Sequence, residues 1–182
     1  MKIEVKERGN NEFYDEFLSV MFNYKKLVNN PYLKIKPLTK SAITLGLISL
    51  VMLITFIILF ALDSTFKLYL YFISMFSFLV GLSICYYLII KNRINKLKSV
   101  KGVISINIEK DYIEYLSEAA KYKINFNDIK YIIINKHNIA FLPKKPGSVL
   151  ISLNVKYINE VKESLQKFGH LDLLIDNSNL YK

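Results

Sequence analysis

The chain has 182 residues, a net charge of +10 and 52% hydrophobic residues, so it forms one domain or at most two. The charge suggests a nucleic-acid-binding protein, but its distribution argues against that class, because five bases precede one long apolar run and five follow another. Basic residues beside apolar spans are typical of the cytosolic flanks of membrane helices. We therefore expect a membrane protein that binds no nucleic acid. The flanking bases are Lys25, Lys26, Lys34, Lys36 and Lys40 on one side and Lys91, Arg93, Lys96, Lys98 and Lys101 on the other.

The first predicted elements precede the apolar runs. Residues 2–6 alternate between apolar and charged side chains, which predicts a short strand. A turn follows at residues 8–11, and Asn10 or Asn11 can cap a helix there. Apolar residues then recur at helical spacing until Pro31. This face either packs on the downstream domain or lies among lipid head groups, and both interpretations stay open. Its residues are Phe13, Phe17, Val20, Met21, Tyr24 and Val28.

Two apolar runs, residues 41–62 and 68–90, contain no Asp, Glu, Lys, Arg or His. At ~1.5 Å per residue, each is long enough to cross a ~30 Å hydrocarbon core as a helix. The lack of charge within the runs argues against a pump, a transporter or an ion pathway. The single cysteine, Cys85, lies in the second run and is expected to pack as a small apolar residue.

The linker between the runs, residues 63–67, carries one acid and one base. The positive-inside rule therefore places both termini in the cytosol of a cell whose membrane the chain spans twice. Because the linker is too short to cross a membrane, the helices must be adjacent and antiparallel. Small residues at helical spacing predict the faces that meet, or faces that bind another membrane protein. These residues are Ala42, Gly46 and Ser49 in the first helix and Ser74, Ser77 and Gly81 in the second.

After the second run the helix is expected to continue through Ile94 and Leu97, with a stop at Gly102. The apolar residues then recur with a period of two, which predicts six short strands. The run from Ile129 to Asn135 is rich in isoleucine, so both faces of that strand are expected to be buried. Asn154 is expected to cap an amphipathic helix that ends before Gly169. The predicted strands cover residues 104–108, 112–117, 120–126, 129–135, 139–142 and 148–153, with turns that include residues 110–111 and 118–119.

These elements predict a fold class. It is a membrane α-helical hairpin plus an α+β cytosolic domain, in which an antiparallel six- to seven-stranded sheet or partly open barrel carries a C-terminal helix. The strand at residues 2–6 supplies the possible seventh strand. The tail either adds an edge strand or stays mobile. The predicted segments are 1–40 (strand and amphipathic helix), 41–90 (hairpin), 91–101 (basic linker), 102–169 (cytosolic domain) and 170–182 (tail).

Two strand segments, YKINFNDI at residues 122–129 and IAFLPK at residues 139–144, together with the helix at 161–168, resemble the YcxB-like family of bacterial membrane proteins. The resemblance covers most of the chain. It implies two transmembrane helices and a C-terminal domain similar to pleckstrin-homology (PH) folds. It implies no defined catalytic residues. Bacterial relatives of this fold often have an aromatic residue before the Asp-Ile pair. This chain has no Trp there, and Phe126 occupies that place.

The sequence contains no glycine-rich phosphate loop, no paired histidines on a helix and no zinc-type cysteine spacing. His137, in a hairpin turn, and His170, after a helix stop, are expected to be exposed polar residues. Asp128 is expected to cap or turn the backbone at the start of a strand. We therefore expect no enzyme, no cofactor and no metal.

The best candidate for contact with a head group or a partner is the pair Lys144 and Lys145, since two lysines on a rigid turn can meet phosphate as point charges. The plainer alternative is a solvated turn. Anionic lipid head groups are also expected at the basic flanks. The flanking residues in question are Lys36, Lys40, Lys91, Arg93 and Lys96.

The leading hypothesis is a non-enzymatic inner-membrane protein that presents a PH-like binding module to the cytosol. The alternative is a membrane-embedded immunity protein that protects against a secreted or membrane-acting toxin or bacteriocin. The first hypothesis rests on basic-flanked helices beside a strand-rich domain, whereas small size, a hairpin and the lack of a catalytic set suggest the alternative. The expected partner is a bilayer with anionic head groups, while a membrane or toxin protein partner and a homo-oligomer stay open.

Overall fold

The computed structural model describes residues 2–5, 9–63, 67–99, 104–117 and 120–181. Its contacts divide the chain into a β-unit, Met1–Ile35 with Leu97–Lys182, and a hairpin unit, Lys36–Lys96. The β-unit is therefore assembled from both ends of the chain, with the hairpin unit inserted between them. The expected linker apex at residues 64–66, the helix stop at Gly102 and the turn at residues 118–119 lie outside the described residues.

The first sheet of the β-unit, sheet A, joins the N-terminal strand to three strands that follow the hairpin unit. Its order is β1-β2-β3-β4, and all pairs are antiparallel. Val5 lies opposite Ile104, so the strand before the inserted unit pairs with the strand after it. The alternation of apolar residues places one face of this sheet in the core. The strands are β1 (Lys2–Val5), β2 (Ile104–Ile108), β3 (Tyr112–Leu116) and β4 (Lys121–Asn125).

The second sheet, sheet B, has the order β7-β6-β5-β8. The tail adds an edge strand, β8, but β8 runs parallel to β5, so the expectation of a purely antiparallel sheet is wrong. Strand β7 also begins at Ile151 and not at Ser148, because Pro146 and Gly147 extend the turn before it. The strands are β5 (Ile129–Ile134), β6 (Asn138–Pro143), β7 (Ile151–Asn154) and β8 (Leu174–Asp176).

Two helices follow β1, namely α1 (Asn11–Phe22) and α2 (Tyr24–Asn29). The side chain of Asn10 caps α1 by accepting the N–H of Phe13 at 2.9 Å. The single predicted helix is divided at Asn23, whose side chain donates to the carbonyl of Ser19 at 2.9 Å. Asparagine side chains compete with helical hydrogen bonds in this way.

The aromatic face of these helices packs on sheet B. Val20, Leu27 and Ile35 form a buried cluster with the outer side of β5 and β6. Of the predicted face, Tyr24 and Val28 also contact this cluster, whereas Met21 is 49% exposed. Strand β5 is therefore covered on both sides, as its run of isoleucines predicts.

The hairpin unit consists of α3 (Leu38–Leu62) and most of α4 (Leu68–Ser99). Their most apolar windows have mean hydropathies of 2.9 and 2.1, and only 6% and 11% of those windows is buried. Helix α4 continues past Ile90 to Ser99, as the sequence predicts, and its last three residues belong to the β-unit. Both helices are long and apolar enough to span a membrane.

Of the two helix faces predicted to meet in the hairpin, the structure confirms the face of α3 and not the face of α4. In α3 the expected Ala42 and Ser49 are buried, and a β-carbon at Gly46 would lie 3.4 Å from the β-carbon of Ser83. In α4 the predicted face is wrong, because its small residues are exposed and Ser83 is buried in their place. Phe56 stacks on Phe72 and Phe76, with ring centroids 4.6 and 5.6 Å away.

The aromatic residues explain the error in α4. At about 100° per residue, Phe72, Phe76 and Ser83 lie on one face. The predicted small residues lie on the opposite face. Size alone therefore did not identify the packing face, because stacking by large rings fixes the rotation of the helix. The exposed small residues are Ser74, Ser77 and Gly81.

The last helix, α5 (Ile158–Phe168), closes the core of the β-unit. Asn154 accepts the N–H of Lys156 and begins a short 3₁₀ turn that leads into α5. Gly169 ends the helix at a φ of 77°, a conformation that favours glycine. Val161 and Leu165 are buried between the sheets together with Phe141.

Candidate functional site

A cavity of about 410 Å³ lies in the β-unit over one end of the inner face of sheet A. Its floor is formed by Val5, Ile104, Tyr115 and Tyr122. The register explains why they meet: Val5 is opposite Ile104, and Tyr115 is opposite Tyr122, with ring centroids 6.1 Å apart. The floor is therefore apolar and aromatic.

Strand β7, at the edge of sheet B, forms a second wall of this cavity. Ile151, Ser152, Leu153 and Asn154 all line it, as does Val149 in the preceding segment. The hydroxyl of Ser152 is shielded from solvent and has no hydrogen-bond partner among the residues that the structure describes. A shielded hydroxyl without a partner is unfavourable.

Helix α1 covers the cavity with Phe13, Tyr14 and Phe17, and Leu97 of α4 also lines it. The start of the helix is held by the Asn10 cap described above. A β-carbon at Gly9 would overlap the ring of Phe13, so this close approach requires glycine. The cavity thus depends on residues from both ends of the chain.

A second pocket, of about 270 Å³, lies beside the first, and Tyr122 and Val149 line both. It is lined by Lys123, Asp128 and Lys145 among others. Lys123 already makes a cation–π contact, since its ammonium lies 3.5 Å from the ring centroid of Tyr112. Lys145 is exposed.

The turn that carries Lys145 is fixed at both ends. The N–H of Lys144 donates to the carbonyl of Asp128 at 2.7 Å, and Gly147 has a φ of 86°. Lys144 is exposed but does not line the pocket. The structure gives neither lysine side chain an ion pair with another described residue.

A buried acid holds α1 on the hairpin turn between β5 and β6. Glu16 is 2% exposed, and its carboxylate accepts the N–H groups of Lys136 at 3.2 Å and His137 at 2.7 Å. Burial raises the pKa of Glu16 to about 7, against the opposing effect of these backbone hydrogen bonds. This contact positions the helix that covers the cavity.

A further polar contact joins the tail to the N-terminal segment. The hydroxyl of Tyr181 accepts the N–H of Ile35 at 3.1 Å, and burial raises the pKa of Tyr181 to about 12. Asn177 donates to the carbonyl of Pro31 at 2.7 Å. The tail therefore has a structural role, which the sequence left open.

Asp128 ends a 3₁₀ turn that leads into β5, as expected of a residue that turns the backbone there. The two histidines have structural contacts. The ring of His170 stacks on Phe126 with a centroid distance of 3.9 Å, and its Nε2 lies 2.8 Å from the carbonyl of Lys110. His137 lies 3.7 Å from the carboxylate of Glu12. Both histidines are half-buried, so the expectation that they are exposed is wrong. No group of three or more potential metal-ligating side chains occurs in the described part of the chain.

The five membrane-flanking bases named from the sequence are all exposed, and they belong to the hairpin unit, not to the cavity. Sequence reasoning missed both the cavity and Glu16. The signal for Glu16 was present, because it is an acid within an apolar helical face. The cavity had no local signal, since its walls are far apart in the chain.

No family model, curated protein or solved structure matches this chain. The candidate site combines an apolar cavity with an adjacent pocket that has an exposed cation. The hairpin unit separately supplies two helices suited to a membrane.

Proposed function

We propose that this protein is a two-span membrane protein that presents a non-enzymatic, PH-like binding module to the cytosol. The observation that carries the proposal is the pairing of β1 with β2 across the inserted hairpin unit. Two strands that exchange hydrogen bonds must lie on the same side of a membrane. An insert between them must therefore cross the membrane an even number of times, and two apolar helices satisfy that condition.

The surface of the hairpin unit supports a lipid environment. Large apolar side chains are exposed along both helices, including Val51 at 62%, Ile58 at 53% and Phe78 at 65%. Exposed apolar surface of this extent is unfavourable in water, but it matches a hydrocarbon solvent. The helices of a soluble core would instead be mostly buried.

The architecture of the β-unit supports the PH-like assignment. Two four-stranded sheets are packed around one core, and α5 closes it. The parallel strand β8 is an addition to that plan. The cytosolic orientation is supported by the basic flanks, where Lys40 and Lys91 are exposed at the ends of the apolar runs.

Two measurements test this proposal. The chain is expected to stay in the membrane fraction after alkaline carbonate extraction. In a Cys85→Ser background, a membrane-impermeant maleimide added to intact cells is expected to label Asp63→Cys and not Lys145→Cys. Release by carbonate, or external labelling of Lys145→Cys, would contradict the proposal.

A further inference from the structure

The two pockets of the β-unit differ in chemistry but share two wall residues, Tyr122 and Val149. One pocket is walled by aromatic and aliphatic side chains, and the other carries the exposed ammonium of Lys145. A ligand that occupies both needs an apolar tail joined to an anionic head. This is the chemistry of a membrane phospholipid.

We propose that the cavity binds one acyl chain of an anionic membrane phospholipid, with the phosphate of its head group at Lys145. The inference rests on the proposed function, since it identifies the ligand of the membrane-anchored module. The hairpin unit would hold the β-unit at the bilayer, so phospholipid is present at high effective concentration.

The size and lining of the cavity favour an acyl chain. A volume of about 410 Å³ falls in the range of ~300–1,000 Å³ that is typical of small-ligand sites. Phe13, Phe17 and Tyr115 supply aromatic surface without a charged group. Each buried methylene strengthens binding by about fourfold, so chain length sets the affinity.

The hydroxyl of Ser152 gives a separate indication of a ligand. It is shielded at the cavity wall and lacks a partner among the described residues. Phospholipid ester oxygens accept hydrogen bonds. Because the side chains around this hydroxyl shield it, an ester oxygen of the ligand reaches the donor only when those side chains move apart.

The charges of the second pocket favour an anion. Lys123 and Lys145 outnumber the single acid, Asp128, and the ammonium of Lys123 already lies over Tyr112. Lys145 is therefore the cation that meets the phosphate. One lysine close to anionic lipid contributes about fivefold in affinity.

The test uses the full chain in lipid nanodiscs of phosphatidylcholine that contain phosphatidylglycerol with a diazirine on one acyl chain. After irradiation, mass spectrometry of peptides locates the lipid adducts. Adducts are expected on Phe13, Phe17 and Tyr115 in addition to α3 and α4. Adducts confined to α3 and α4 would overturn the inference while leaving the two-span proposal intact.

Variants separate the tail from the head. Val149→Trp fills the junction of the pockets and is expected to abolish β-unit adducts, with unchanged labelling of α3 and α4 as the internal control. Ser152→Ala is a milder change that serves if the tryptophan disturbs folding. It is expected to decrease the number of β-unit adducts. β-unit labelling that is unchanged in both variants would overturn the acyl-chain site.

For the head group, Lys145→Gln is expected to lower β-unit labelling about fivefold, whereas the matched neighbour Lys144→Gln leaves it unchanged. Equal effects of the two variants, or equal labelling by diazirine phosphatidylcholine, would overturn the phosphate contact. Excess inorganic phosphate is expected to have no effect. Competition by it would identify a free phosphate site in place of a lipid site.

Native mass spectrometry of the chain released from membranes reports the occupant directly. A bound mass equal to one anionic phospholipid is expected, and it should be lost in Val149→Trp. A bound peptide, a second copy of the chain or an unoccupied chain would contradict the inference.

Discussion

The two units of this protein distribute their residues in opposite ways. In the β-unit, isoleucines such as Ile106 and Ile132 are fully buried and lysines such as Lys144 face outward. In the hairpin unit, large apolar residues are exposed, and Ala42, Ser49 and Ser83 are buried. Apolar burial drives folding in water, whereas close packing of small residues joins helices in lipid. The residue distribution of the β-unit is therefore the one expected in water, and that of the hairpin unit is the one expected in lipid.

The core of the β-unit provides the largest expected effect. Phe141 is fully buried between the sheets, so Phe141→Ala should lower the free energy of unfolding by about 3–5 kcal/mol. Phe22, which is 59% exposed, is the matched control, and Phe22→Ala should change stability by less than about 0.5 kcal/mol. Hydrogen exchange of the β5 and β6 amides in the purified chain measures both. Equal losses would mean that burial does not distinguish these sites.

Two equally exposed residues, one in each unit, should respond differently to an added charge. Ile54 in the hairpin unit and Met21 in the β-unit are both 49% exposed. Ile54→Lys should oppose membrane insertion by roughly 3 kcal/mol, because lysine is unfavourable near the centre of a bilayer. Met21→Lys should have little effect in water. Carbonate extraction of the two variants gives the readout, and equal retention would contradict a lipid solvent for α3.

The buried polar groups of the two units also differ. In the hairpin unit, the hydroxyl of Ser83 donates to the carbonyl of Leu79 in its own helix, at 2.8 Å, and carries no charge. In the β-unit, Glu16 titrates with a folded-state pKa of about 7, against 4.5 when unfolded. Its neighbours include Lys136 and Tyr181. We therefore expect a pH response through Glu16 in the β-unit and none through Ser83 in the hairpin unit.

The direction of the Glu16 effect follows from its raised pKa. The folded state holds the proton more tightly, so this contribution to stability is present below pH 4.5 and is lost as the pH rises through 7. The loss amounts to about 3 kcal/mol. Hydrogen-exchange protection of the Lys136 and His137 amides, corrected for intrinsic rates, should fall over this range. Glu16→Gln should flatten the profile, whereas the exposed control Glu163→Gln should leave the slope unchanged.

The smallest expected effect concerns the packing of the two hairpin helices. Ser83→Leu would overpack the contact with Gly46 and should cost about 1–3 kcal/mol. Ser77→Leu lies on the exposed face and should be neutral. The thermal unfolding of the helical signal in detergent compares the two variants. The reverse ranking would restore the face that the sequence predicted.

The sequence predicted the elements that depend on local pattern. Alternation located the strands of sheet A, and Gly169 ended α5 where a left-handed residue was expected. Asn10 capped α1 because its side chain reaches the N–H of Phe13. These features depend on residues a few positions apart, so the local sequence pattern is sufficient to predict them.

The features that the sequence did not predict depend on long-range contacts. The parallel pairing of β8, the rotation of α4 set by Phe56, and the hydrogen bonds of Glu16 all join distant residues. The cavity arises in the same way, since Phe13 and Val149 are brought together only by the fold. The sequence indicates Lys145 by its charge on a turn, whereas its pocket neighbours are brought to it only by the fold.

One β-unit is built from both ends of the chain, and the hairpin unit is inserted between them. A disulfide between the paired positions Glu4→Cys and Ser105→Cys in the Cys85→Ser chain, formed by oxidation in native membranes, tests this assembly. The account predicts an intramolecular cross-link for this pair and none for Glu4→Cys with Lys123→Cys, which lies three strands away. Failure of the first pair to cross-link, or equal cross-linking of both pairs, would contradict the account.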